Sequence, residues 1–445
     1  MNIMKISKLS IIVIFILSVF TGVAQEKLSK QDAVNIALEN NFDIKVVANN
    51  VESAKISSSI YNSGYLPTLS ADGGANYQDK DNENEFQDGH TQDQNSVSQV
   101  YNASVGINYL LFDGLGRMYN YKKLQEIYNL SEIQARQVVE NTLLQLLASY
   151  YDVARLTENK MNQRTSLGIS KDRSLRQRYS YEYGQATQLD VLNSEVDVNN
   201  DSISFLNISR ELSNAKRDLN VVLGRSVSMD FEVDTTVTYA IDLTYKNLLI
   251  SANSKNTLLL QAEKNVELSN FDLKINKSYW MPNVGVNGSY GWNNLNVDTD
   301  NGNAFSLAAQ TSKGLNAGVN LSWNVFDGGM TRTRVQNAKI AIDNTNIQRE
   351  QIEQDLERNV ANAWETYQNS LFILQAERKN VETNRRNFTR SEEQFKLGQL
   401  ISVEFRLAQV NFLNAVNNYN QAKYIAKIAE LKLLQLSGSL LGADY

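Results

Sequence analysis

Histidine occurs once among the 445 residues and cysteine does not occur at all. A zinc site of His/Cys pairs, a thiol nucleophile and a disulfide therefore have no residues to build them. Ser-His-Asp catalysis would have to use His90, which lies in the acidic stretch DKDNENEFQDGHTQDQNS. Its carboxylates suggest calcium, but the EF-hand spacing fails because Asn84 stands where that loop needs glycine. The stretch reads instead as a solvated outer loop. No GxxxxGK[ST] and no strand-following GxGxxG is present, so nucleotide hydrolysis is not encoded. No cofactor and no metal are expected, and the chain does not read as an enzyme. With 43 Lys+Arg, 49 Asp+Glu and a net charge of −6, no basic block offers a nucleic-acid footprint.

If the chain does no chemistry, its residues must build something. Two prolines in this length, with abundant Asn, Gln, Leu and Ala, favour long unbroken helices. The N-terminus, lysines followed by IIVIFILSVF and then TGVAQE, reads as a secretory signal peptide over 1–24, too short in its apolar part to span a bilayer as a helix. An internal duplication follows. LFDGLGR returns as VFDGGMTR, YEYGQATQLDVLNSEV as FKLGQLISVEFRLAQV and VVLGRS as QLSGSL, pairing Phe112 with Phe326, Gly184 with Gly398 and Gly224 with Gly438 at one offset of 214. Pro67 and Pro282 stand 215 apart.

Each copy reads helix, strand, loop, strand, long helix, turn, helix. In the first, 25–238, a helix is expected over roughly 30–63, strands over about 66–78 and 99–112, a long helix over 116–181 and another over 187–223. In the second, 239–445, strands are expected over 282–292 and 314–326, and helices over 329–395 and 402–437. The two copies are expected to interleave in one fold. A helix of ~65 residues is about 100 Å long, a length suited to a coiled-coil wall rather than a globular domain.

The strands alternate with period two over about ten residues. Leu69, Ala71, Gly73, Ala75 and Tyr77 oppose Ser70, Asp72, Gly74, Asn76 and Gln78, and the other three strands repeat the pattern. A soluble sheet with one wet face gives the same alternation. The export signal, the aromatics Tyr77, Tyr109, Trp292 and Trp323 near the strand ends, and an Asn-rich polar face favour a membrane barrel with a wet lumen. Pro67 and Pro282 then mark helix-to-strand entry, since proline disfavours helix before it and is tolerated at a strand's first residue. Four strands cannot close a barrel and an open edge in lipid leaves backbone unpaired, so several copies must share one.

The duplicated order, the prolines at strand entry and the aromatic-x-x-Gly turns of YEYGQATQLDVLNSE and FKLGQLISVEFRLAQ resemble the TolC family of outer-membrane efflux channels over essentially the whole mature chain. The resemblance implies a homotrimer with a twelve-strand β-barrel in the outer membrane on a twelve-helix periplasmic α-barrel. It implies an equatorial belt near 225–247 with the C-terminus. It also implies a passive exit duct, energised by an inner-membrane pump through a periplasmic adaptor. The adaptor would dock at Tyr183, Gly184, Gln185, Leu397, Gly398 and Gln399. Asp190 and Glu404, six positions after each tip glycine, would be the periplasmic gate, although the family's further acidic position is Leu407 here, beside Arg406. Asp190 also fits the third helical position of a capping box begun by Thr187. The alternative class is an exported helical scaffold or periplasmic adaptor without a pore.

Overall fold

The computed structural model describes residues 26–240, 242–300 and 306–443; the expected signal peptide lies outside them. The chain divides into two compact units, each drawn from both halves of the sequence. One comprises the residues up to Asn49, Ile133–Leu260 and those from Gln351; the other comprises Asn50–Glu132 and Gln261–Glu350.

Four long helices dominate. In the first copy α3 spans Gly116–Glu182 and α4 Gln188–Val222; in the second α7 spans Met330–Lys396 and α8 Ser402–Leu436. The two copies match in length, 67 and 35 residues each. The buried seam of α3 changes character along its length. Leu143, Leu146, Leu147, Tyr150 and Ala154 pack an apolar core with Leu219 of α4 and Leu431 of α8. Beyond them, Asn159, Gln163, Ser166, Ser170, Arg173 and Gln177 continue at the same three- and four-residue spacing as buried polar groups.

The expected first helix over 30–63 is broken. It is α1, Lys30–Asn40, then α2, Phe42–Ser57, and a short 3₁₀ turn at Ile60–Asn62. Asn41 makes the break, leaving the helical region at φ −59°, ψ 134°. Its Oδ1 accepts from Asp43 N (2.9 Å) and Ile44 N (3.2 Å), so it caps α2. Its Nδ2 donates to the Val222 carbonyl at the end of α4 (2.8 Å). The second copy repeats this joint between α5, Tyr245–Lys255, and α6, Thr257–Ser278. Asn256 accepts from Leu258 N and Leu259 N and donates to Leu436 O at 2.9 Å. Each joint is closed by a glycine at positive φ, Gly224 or Gly438, whose missing Cβ would lie 2.3 Å from Asn40 O or 2.6 Å from Lys255 O.

Strands β2, Thr68–Glu85, β3, Thr91–Asp113, β5, Asn283–Thr299, and β6, Ala309–Ser322, form one antiparallel sheet in the order β2-β3-β5-β6. A second, two-stranded sheet pairs β1, Glu26–Leu28, parallel to β4, Phe231–Val233. Tyr150 Oη ties it to α3, donating to Leu28 O (2.8 Å) and accepting from Asp234 N (2.9 Å). β4 lies in the expected 225–247 belt, and α5 begins there.

The acidic stretch read as a solvated loop is mostly strand. Asp79 to Glu85 pair with Val97 to Thr91, which leaves a turn of only Phe86–His90. β5 and β6 likewise extend to Thr299 and back to Ala309, beyond the expected ends. Ladder hydrogen bonds are backbone bonds; once both faces become polar the alternation disappears while the pairing continues. In the other direction β6 stops at Ser322, so Phe326 lies outside the strand whereas Phe112 is within β3.

Candidate channel wall and hairpin tips

The register joins four separate alternations into one face. Leu69, Ile107, Gly288 and Ala317 stand in one cross-strand row, and Ala71, Val105, Tyr290 and Leu315 in the next. A register shift between Leu110 and Phe112 brings Phe112 opposite Val284, which keeps the apolar row continuous with Leu321. On the other face Ser70, Gly106, Ser289 and Asn316 align, as do Gly74, Asn102, Asn293 and Ser312.

The apolar face is uncovered: Leu69 is 76% exposed, Leu315 75% and Val319 73%. From the Val284 row to the Trp292 row, where Lys313 stands on the same face, is eight residues, about 26 Å along the strand and about 20 Å tall at the usual barrel tilt. Tyr77 and Trp292 lie towards one end of the apolar face, Tyr109 towards the other, and Trp323 just beyond Ser322, its indole donating to Trp280 O at 3.1 Å. Pro67 directly precedes β2 and Pro282 directly precedes β5. α6 ends at Ser278, close to Pro282, but α2 ends well before Pro67, so the first proline opens a strand without ending a helix. The outer edges of β2 and β6 have no partner strand among the described residues. No helix among the described residues is long and apolar enough to cross a membrane.

A glycine turn joins α3 to α4, and another joins α7 to α8. Gly184 N donates to Tyr181 O and Gln185 N to Ser180 O, with φ +73° at the glycine; Gly398 and Gln399 repeat both bonds to Phe395 and Gln394, with φ +72°. This is a Schellman cap, which needs a left-handed residue after the helix. Tyr183 and Leu397 beside them are largely exposed, as are Gln185 and Gln399. A groove of about 570 Å³ runs between the two tips, lined among others by Arg176, Tyr179, Tyr183, Phe395 and Phe405.

The two gate candidates differ in circumstance. Asp190 completes a capping box: its Oδ2 accepts from Thr187 N (2.9 Å) and Thr187 Oγ1 (2.6 Å), and Thr187 Oγ1 accepts from Asp190 N. The side-chain and backbone hydrogen bonds of Thr187 hold its carboxyl below the usual aspartate range. Glu404 occupies the first turn of α8, where Ile401 provides no side-chain cap, and it is exposed. One carboxylate is engaged in starting its helix and the other faces solvent.

Above the tips lies a cluster that reading the residues in order did not find. Arg406 of α8 clasps Asp201 of α4 with two bonds of 2.7 Å and reaches Ser170 Oγ of α3 at 3.1 Å. Ser170 Oγ donates to Asp201 Oδ2 (2.5 Å), and Arg173 pairs with Asp197. Gln409 Nε2 donates to Ser166 O at 2.8 Å. Burial pushes the Asp201 carboxyl up, but the hydrogen bonds of Arg406 and Ser170 and the charges of Arg406 and Arg173 together hold it below the usual range. The sequence signal was available: a regular run of polar residues at buried-seam spacing in α3 requires polar partners.

A profile described as outer membrane efflux protein matches residues 33–225 and 248–439. The chain is similar to the outer membrane efflux protein BepC of Brucella suis, 20% identical over 346 residues that cover 76% of this chain and 72% of that protein. It is similar to the probable efflux pump outer membrane protein TtgC of Pseudomonas putida, 22% identical over 391 residues, 86% of this chain and 78% of that one. In fold it is similar to the Campylobacter jejuni CmeC outer membrane channel, with a TM-score of 0.75 over 92% of this chain and 86% of that one at 14% identity. With most of its length matched in both halves, the chain belongs to the outer membrane efflux protein family: it is a transport protein of the outer membrane with a periplasmic extension, and not an enzyme.

Proposed function

We propose that three copies of this chain pool their strands into one twelve-strand barrel and their long helices into one periplasmic conduit. The assembly is a passive exit duct, gated at the hairpin tips. An inner-membrane pump supplies the energy through a periplasmic adaptor that reads the glycine turns at Gly184 and Gly398. The single observation that supports this most is the uncovered, largely apolar face across four strands, broken at Lys313, whose outer edges have no partner strand among the described residues. In lipid those edges must be closed by strands from elsewhere, and copies of β2 and β6 are the strands at hand. A soluble scaffold would leave the same face in water, a patch of the kind that drives aggregation.

Purified protein reconstituted in planar bilayers should give ion-conducting pores and run as a trimer in mild detergent. A monomer that is freely soluble without detergent and gives no conductance would overturn the duct.

A further inference from the structure

We propose that Lys313 forms a lipid-phosphate site: its ammonium binds the phosphate of an outer-leaflet glycolipid whose acyl chains lie on the apolar rows beneath it. The inference rests on the membrane sheet above and names the lipid that the rim of that sheet takes.

The register fixes where Lys313 stands. It lies opposite Trp292, in the row of Gly73 and Ala103, and alternation puts it on the same face as Leu315 and Val319. On this face, between the row of Val284 and the row of Tyr77, it is the one charged side chain among the described residues, and it is exposed. Towards the Phe86–His90 turn the first carboxylates on the face are Asp79 and Asp298, which share a row through Val97. Trp292 to Asp298 is six residues, about 20 Å along the strand and beyond the reach of a lysine stem.

A lysine on a lipid-facing strand is costly at the bilayer midplane and tolerated near its surface, where the stem lies on apolar residues and the charge reaches the headgroups. The surroundings of Lys313 match that depth. On one side lie Ala71, Val105, Tyr290 and Leu315, which offer a bed for acyl chains. On the other lie Tyr101, Asn294 and Thr311. Asn294 Nδ2 donates to Thr311 Oγ1 at 2.8 Å, which leaves the hydroxyl proton to donate to a phosphate oxygen beside the ammonium.

The leaflet follows from connectivity. Pro67 and Pro282 open β2 and β5 at the Val284 end of the face, where the long helices join, and Lys313 stands towards the other end. With the helices in the periplasm, that end meets the outer leaflet of an outer membrane, where the phosphate-bearing lipid is a glycolipid. A free phosphate ion would meet the field of Asp79 and Asp298 with nothing apolar to hold it, whereas acyl chains keep a lipid phosphate at the height of Lys313.

The full chain folded into phosphatidylcholine vesicles should unfold at a higher urea concentration when the vesicles also contain monophosphoryl lipid A. Lys313→Gln should lose that rise. Lys313→Arg should keep it, as should Lys80→Gln, whose side chain belongs to the opposite face. Phosphatidylglycerol in place of lipid A should give a smaller rise, because a phosphodiester carries less charge than a phosphomonoester. Since Lys313→Gln only removes a charge from the lipid face, it should still fold in phosphatidylcholine and still conduct. Should it fail to fold, the unsubstituted chain extracted in detergent from lipid A vesicles should retain lipid A by mass spectrometry, and its loss would overturn the site. A rise kept by Lys313→Gln, or matched by phosphatidylglycerol or by inorganic phosphate, would overturn the site and leave the duct standing. A chain that enters no vesicle and gives no pores would instead remove the duct itself.

Discussion

Asn41 and Asn256 show how much one side chain can decide. Each ends a helix, starts the next and binds the last carbonyl of a third, so its amide is used at both ends. Replacing either with alanine leaves a carbonyl and two amide groups short of partners and should cost about 1–3 kcal/mol, read as a lowered unfolding midpoint. A midpoint unchanged in both variants would show that water replaces the amide without loss. The gate candidates separate at the same scale. Because Asp190 is held by Thr187 and Glu404 is exposed, Glu404→Gln should reduce cation preference, measured as a shift in reversal potential under a salt gradient. Asp190→Asn should act mainly on stability, through the capping box. Equal shifts in reversal potential from both would refute this division.

Elements set what those residues can do. Along α3 the apolar seam turns polar near Asn159, and the ionic cluster around Arg406 holds α8 against α3 and α4. Since the Asp201 carboxyl is held below its unfolded value of 3.8, the stabilisation it gives is complete above that pH. It is lost as pH falls through the lower folded value. Proteolysis between the hairpins should therefore be flat from pH 7 to about 5 and rise only in strong acid; a rise already at pH 5 would show the cluster is not closed in solution. In the sheet, faces decide tolerance. Val105→Lys on the apolar face should weaken folding into lipid vesicles by about 2–4 kcal/mol, whereas Ser104→Lys on the polar face should be nearly neutral, both read by urea titration. Equal penalties would mean that both faces are wet or that both are buried.

For the whole molecule, family membership rests on matches in both halves, and the proposed duct rests on a largely apolar sheet face whose two edges have no partner strand among the described residues. Much of the fold was legible from residues alone. The long helices read out because period, sparse proline and paired glycines act locally, and Gly184 and Gly398 each close a helix by bonds to residues within the preceding turn. The apolar faces read out for the same reason: alternation is a property of one strand. The strand extensions through the acidic stretch did not, because ladder bonds are made by backbone that carries no side-chain signature. The breaks at Asn41 and Asn256 and the cluster of Ser170, Arg173, Asp201 and Arg406 join residues from 24 to 236 positions apart, as in Arg173 to Asp197 and Arg406 to Ser170. Local pattern fixes which way each element faces. Which elements meet, and which charge finds which partner, is decided only when distant segments pack together and each buried polar group must be matched by another.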